Sequence, residues 1–192
     1  MVILGPETAA DGAAIEALLD QCFGPGRYAK TAYRFREGVA PVDGLSFVAR
    51  FGDALCGSLR FWPIEAGPVP ALLLGPLAVD PTLRSRGIGI GLMILALAKA
   101  AREGHRAVML VGDEPYYARV GFRKAPPARF TFPGPVDPSR LLIRELVPGA
   151  LDGVSGAVVK ARRGSAALAQ PGRAEDQRNE DERHGGREQR AL

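Results

Sequence analysis

An α+β fold is predicted, on three observations. Three strand-like runs between Leu45 and Val79 are separated by turn-forming segments, the pattern of an antiparallel meander. The last run leads through a glycine-rich turn, Arg84 to Gly91, into a long apolar segment of helical character. Past that helix, Ala107 to Val111 is almost entirely apolar, as in a strand covered on both faces.

The chain starts with a short strand at Val2 to Leu4. Thr8, followed by Ala9, Ala10 and Asp11, is a helix N-cap with early negative charge. Ile15, Leu18, Leu19, Cys22 and Phe23 then recur at helical spacing, so Ala9 to Phe23 is expected as an amphipathic helix stopped by Gly24-Pro25-Gly26. A second, shorter helix is expected over Tyr28 to Arg36, and Gly38 to Gly44 as a loop. The meander follows: Leu45 to Phe51, a tight Gly52-Asp53 turn, Ala54 to Ile64, a loop over Glu65 to Pro70, and Ala71 to Val79. The helix after the glycines runs to Glu103 and is ended by Gly104. Glu114 to Arg119 makes one or two helical turns, broken at Gly121-Phe122. RFTFPG, from Arg129, and RLLIREL, from Arg140, supply two further strands between Pro-rich spacers.

With 192 residues, 46% of them apolar, and a formal charge of +4 spread along the sequence, the chain suits one soluble domain. Residues 1–161 are expected to form it. Residues 162–192 are rich in Arg, Glu, Asp, Gly and Gln without periodicity, and are expected to be a disordered tail. No aromatic-basic patch accompanies the positive charge, so nucleic acid is not the expected partner. Cys22 and Cys56 lie in no metal-binding spacing, so no metal is expected. The N-terminus lacks the features of a signal peptide, and apolar stretches are interrupted too early to span a bilayer, which points to the cytoplasm.

The chemistry concentrates at Arg84 to Gly91, RSRGIGIG. A P-loop needs Lys and then Ser or Thr after its last glycine, but Leu92 and Met93 follow Gly91. A dinucleotide-binding GxGxxG fails as well, because its third glycine falls on Leu92 or Ile94. What is present is RxxGxG, with Arg84, Gly87 and Gly89 at the start of a helix. There the glycines let backbone approach a pyrophosphate, and the helix end supplies oriented N–H donors.

RxxGxG after a strand resembles the acyl-CoA site of the GCN5-related N-acetyltransferase (GNAT) superfamily. Tyr116-Tyr117-Ala118-Arg119-Val120-Gly121-Phe122 is similar to the FYxxxGF element after that superfamily's fifth strand, and the order of elements from Val2 to Val147 is similar too. GPLAVDP and GDEPYYARVGF further resemble the predicted acetyltransferases of the YhbS-like subgroup. The resemblance implies an α/β/α sandwich around a mixed, mostly antiparallel sheet of six to seven strands with about four helices. It implies acetyl transfer from acetyl-CoA to a primary amine of a small molecule or peptide. Backbone of Leu77, Ala78 and Val79 would hold the pantetheine, where the Ala71–Val79 strand splays from Ala107–Val111. Arg84, Ser85, Arg86, Gly87, Ile88, Gly89, Ile90 and Gly91 would bind the pyrophosphate, and Tyr117 would be the general acid.

Two departures from the family pattern stand out. The strand before the pyrophosphate loop, ALLLGPLAV, carries no carboxylate, which leaves Glu65, Asp113, Glu114 or a water chain as general base. Gly112-Asp113 also replaces an Asn often found after the fifth strand. A non-catalytic acyl-CoA-binding or regulatory module is therefore the alternative. Arg27, Tyr28, Lys30, Arg34 and Arg36 cluster where the acceptor is expected, which is compatible with an acceptor bearing a carboxylate or phosphate. Oligomeric state is left open between monomer and homodimer.

Overall fold

A computed structural model describes residues 1–161; the expectation of a disordered tail at 162–192 lies outside the described residues. The chain forms a three-layer α/β/α sandwich. Strand β1 (Val2–Pro6) is followed, after a 3-10 turn at Ala9–Asp11, by helix α1 (Gly12–Phe23). The Asp11 carboxylate accepts hydrogen bonds from the Thr8 N–H (2.8 Å) and hydroxyl (2.9 Å), and also pairs with Arg50. These contacts hold its pKa below the ordinary value, the backbone hydrogen bond most of all.

Beyond Gly24 the structure departs from expectation. The predicted helix over Tyr28 to Arg36 breaks into a 3-10 segment (Pro25–Ala29) and the single turn α2 (Thr31–Arg34), with Lys30 extended between them. The cause is Arg27, whose side chain is drawn inward. It donates to Glu16 (2.6 Å), Asp20 (2.9 Å), Tyr28 (2.6 Å) and Tyr33 (2.9 Å) and is only 2% exposed. Four hydrogen bonds to a buried guanidinium outweigh the weak helix propensity of so short a stretch.

The meander consists of β2 (Ser46–Phe51), β3 (Ala54–Ala66) and β4 (Val69–Val79), all antiparallel. The loop expected over Glu65–Pro70 tightens to a hairpin, because Gly67 takes a positive φ of 57° and lets pairing run on to Ala66 and Val69. Helix α3 (Ile88–Arg102) then crosses to β5 (Ala107–Val111), which lies parallel to β4. The short α4 (Glu114–Tyr117) and strands β6 (Arg123–Lys124), β7 (Phe130–Thr131), β8 (Leu141–Glu145) and β9 (Gly156–Lys160) complete the fold. Seven strands run in the order β1-β2-β3-β4-β5-β8-β6, and β9 adds to β3 with β7 beside it. The RFTFPG strand shrinks to two residues, since the prolines around it cannot donate to a ladder.

The two faces of the sheet are read directly from alternation. Leu72, Leu74, Val108 and Leu110 pack against α3 through Ile88, Leu92, Met93, Ala96 and Leu97. Ala71, Leu73, Ala107 and Met109 point the other way, toward Phe35, Trp62 and Ile143. β5 is thus apolar on both faces because both are covered; each large aliphatic side chain so buried contributes roughly 1.5–3 kcal/mol. Helix α1 lies on the face opposite α3, with Ile15, Leu18 and Leu19 on Val48 and Ala78. No helix among the described residues is long and apolar enough to cross a membrane.

Candidate active site

The site begins with an irregularity in β4. Leu74 pairs with Phe61 and Leu77 with Leu59, so two residues of β4, Gly75 and Pro76, face the single residue Arg60. This bulge shifts the alternation: Leu72 and Leu74 face α3 before it, and Leu77 and Val79 face the same way after it. Gly75 sits at φ 127°, a conformation side-chain-bearing residues rarely adopt, and its carbonyl accepts a hydrogen bond from the buried Trp62 indole at 2.6 Å.

Pairing between β4 and β5 is confined to Leu72–Val108 and Leu73–Met109. Beyond these pairs the strands part, and a cavity of about 490 Å³ opens between them. Leu73 to Leu77 form one wall and Val111, Gly112 and Tyr117 another. The roof comes from the α1–α2 connection and α2 with the residues after it, including Arg27, Lys30, Tyr33 and Arg36, and from Pro135 to Asp137 with Arg140.

Tyr117 is set by its neighbours. Its ring meets Tyr116 edge-on at 5.1 Å and Phe122 at 6.0 Å. It also packs against Gly112: a Cβ at that glycine would be 2.3 Å from the ring carbon Cε2. Only glycine leaves room for this ring at position 112. Burial, reinforced by Tyr116 and Asp113 and opposed by Arg140, pushes the Tyr117 hydroxyl up to about 12. It stays protonated throughout the neutral range.

At the far end of β4, Arg84, Ser85, Arg86 and Gly87 are exposed, and α3 starts at Ile88. Gly87 is the N-cap at φ 79°, has no side chain to cap with, and no acidic residue occupies the first turn. The opening N–H groups of the helix therefore lack the partners that Ser, Asp or Glu normally provide. Among the described residues neither Arg84 nor Arg86 has a carboxylate within salt-bridge distance. The glycines of the Arg84–Gly91 turn serve separate needs. Gly87 turns the chain, whereas a Cβ on Gly89 would fall 2.2 Å from the Tyr116 hydroxyl and one on Gly91 would fall 3.0 Å from Leu4. Ile88 is buried, so only its backbone is available to a ligand.

The chain matches the family model described as "Acetyltransferase (GNAT) family" over residues 13–122. It belongs to the GNAT acetyltransferase family. The "Uncharacterized N-acetyltransferase YhbS" of Escherichia coli K12 is 29% identical to it over 159 residues, 82% of this chain and 95% of that protein. The crystal structure of the Escherichia coli GNAT enzyme YhbS in complex with CoA superposes with a TM-score of 0.70 at 28% identity, covering 83% of this chain and 89% of that one. A GNAT acetyltransferase from Brucella melitensis in complex with acetyl-CoA gives a TM-score of 0.56 at 26% identity, covering 79% and 99%.

Within this GNAT domain the residues singled out from sequence fall into two groups. Tyr117 and Leu77 line the cavity; Ala78 and Val79 continue the open edge of β4, with Ala78 buried against α1 and the Val79 carbonyl accepting from the Cys22 thiol at 3.3 Å. The Arg84–Gly91 turn stands outside the cavity, and Tyr116 bridges the two through Tyr117 and Gly89. Of the candidate bases only Asp113 reaches the cavity, where it pairs with Arg140 at 3.2 Å. Glu114 pairs with Lys124 at 3.1 Å, and Glu65 sits at the other end of β3, beside β9. Sequence reasoning missed Asp137, Arg140 and the Gly75 bulge. The Gly-Pro pair interrupting an otherwise apolar strand was the available signal for the last.

Proposed function

We propose that the chain is an acetyl-CoA-dependent N-acetyltransferase that moves an acetyl group onto a primary amine of a small molecule or peptide by direct attack in a ternary complex. The supporting observation is that one break in the sheet joins an uncapped helix N-terminus flanked by unpaired arginines to a cavity holding a half-buried, protonated tyrosine. The first suits a pyrophosphate, through backbone donors, helix dipole and added charge. The open edge of β4 at Leu77, Ala78 and Val79 suits an extended pantetheine, added as one strand is added to another. Backbone N–H groups there would stabilise negative charge developing on the thioester oxygen.

In the proposed reaction the amine nitrogen bonds to the acetyl carbon as the carbon–sulfur bond breaks. The electron pair of that bond leaves on sulfur, which takes the proton of Tyr117. The proton shed by the amine passes to water or to Asp113, and solvent reprotonates the tyrosine. Incubating the purified full chain with acetyl-CoA and a panel of amines and peptides, and following CoA release, tests the proposal. Failure to bind acetyl-CoA, or to be stabilised by it, overturns it. Binding without turnover on any amine favours the acyl-CoA-binding module instead.

The arginines give a further check. Arg84→Ala with Arg86→Ala is expected to raise the Kd for acetyl-CoA about tenfold or more, because hydrogen bonds to charged groups are worth about 1.5–3 kcal/mol each. The double variant should also lose much of the salt dependence of binding, measured by titration at low and high ionic strength.

A further inference from the structure

Of the four cations lining the cavity, two are paired with carboxylates. Arg27 is bound by Glu16 and Asp20, and Arg140 by Asp113. Lys30 rests over the Phe23 ring at 5.1 Å. Arg36 differs: its Nε and Nη1 are buried without a hydrogen-bond partner, and among the described residues no carboxylate lies within salt-bridge distance of it. The guanidinium lies near two rings, its central carbon 4.4 Å from the Tyr33 centroid and 5.7 Å from that of Trp62. Its Nη2 points at the β4 bulge, 3.3 Å from where a Cβ on Gly75 would stand. The glycine that shapes the bulge therefore also keeps the guanidinium against the open strand.

A partly buried cation with two unpartnered donor nitrogens and no anion is costly, and a native protein that retains one needs a reason. Burial lowers the Arg36 pKa to about 10, opposed by the Tyr33 hydroxyl and reinforced by repulsion from Arg27 and Arg60, yet the group remains charged at neutral pH. The carboxylates facing the cavity do not relieve it. Asp113 is engaged with Arg140, and Asp137 accepts from the N–H and hydroxyl of Ser139.

We infer that Arg36 is the acceptor anchor: the amine acetylated in this cavity carries an anionic oxygen group, a carboxylate or phosphate, that pairs with the Arg36 guanidinium beside Gly75. The inference rests on the acetyl-transfer reading of the same cavity. Contacts to Tyr33, Trp62 and Gly75 position the guanidinium, and its planar fork recognises paired oxygens better than an ammonium does. The reacting amine lies toward Tyr117 and the anion toward α2, so the cavity selects by charge at the end remote from the chemistry.

The test compares matched acceptors under saturating acetyl-CoA. ω-Amino acids from glycine to γ-aminobutyrate are set against their carboxamides, and 2-aminoethyl phosphate against ethanolamine. At least one anionic amine is expected to exceed its neutral counterpart in kcat/KM by about tenfold or more, the usual scale for a desolvated charge pair. Whether amino acids or the phosphate lead identifies the anion. In Arg36→Met that ratio should fall toward one, through a rise in KM for the anionic amine. Arg36→Lys, which keeps the charge but not the fork, should fall between the two and carries the test if melting curves show Arg36→Met unfolded. Equal or better use of neutral amines by the native chain, or an unchanged ratio in the variants, overturns the inference while leaving acetyl transfer standing. If no amine is acetylated at all, the transfer reading has failed. The anchor is then judged by binding alone: anionic amines must raise the melting temperature of the CoA-saturated native chain and not of Arg36→Met, and any other result overturns it.

Discussion

Replacing Tyr117 with Phe is expected to lower kcat for acetyl transfer on the order of a hundredfold while changing the Kd for acetyl-CoA by no more than about twofold. The ring would keep its packing on Gly112, Tyr116 and Phe122, because those contacts use carbon atoms only. What disappears is the hydroxyl proton, which the proposed mechanism uses when sulfur departs. The pH dependence follows from the same burial. A phenol raised to about 12 is protonated below that value and loses its proton only as pH rises through it. An alkaline fall in kcat caused by Tyr117 should therefore be absent up to about pH 10, whereas an unperturbed tyrosine with a pKa of about 10 would be half ionised there. Rate against pH, measured on the native chain and Tyr117→Phe in parallel, checks both points. Equal kcat in the two across the range would remove Tyr117 from the mechanism.

Much of this site was legible from the sequence, because its determinants are local. RxxGxG marks a helix start whatever surrounds it, and the all-apolar Ala107–Val111 announces burial on both faces. YYxxxGF places Tyr117 immediately after that strand. The largest failures were long-range. Whether Tyr28 to Arg36 is helical depends on Glu16 and Asp20, which capture Arg27 from another element. The short β6 and β9 have too little pattern to be seen and exist because β8 and β3 offer them edges. Glu65, Asp113 and Glu114 could not be ranked as bases until the fold placed one at the cavity and two elsewhere. The glycines are instructive in a different way. Sequence assigns Gly89 to a phosphate, whereas the tightest neighbour of its missing side chain is the Tyr116 hydroxyl. The glycine-rich turn and the tyrosine pair are thus one packed unit, which explains why both motifs occur in one chain at this separation.

That coupling yields the second large effect. Gly112→Ala is expected to reduce kcat nearly as far as Tyr117→Phe does, although Gly112 bears no functional group. Its backbone lies outside the left-handed region, so alanine is not strained there by its own conformation, and the cost arises entirely from contact. The added methyl would stand 2.3 Å from Cε2 and 2.9 Å from Cδ2 of Tyr117, and 3.0 Å from a methyl of Leu110. Gly112 cannot yield easily, since its N–H is tied to the Arg140 carbonyl at 2.9 Å. The tyrosine ring must therefore move, carrying its hydroxyl away from the sulfur position, at an overpacking cost of about 1–3 kcal/mol in stability that a melting curve will register. The diagnostic is the double variant. If Gly112 acts only by seating Tyr117, adding Gly112→Ala to Tyr117→Phe should lower kcat little further, because the proton it would misplace is already gone. Multiplicative losses would instead mean that Gly112 touches the substrate directly.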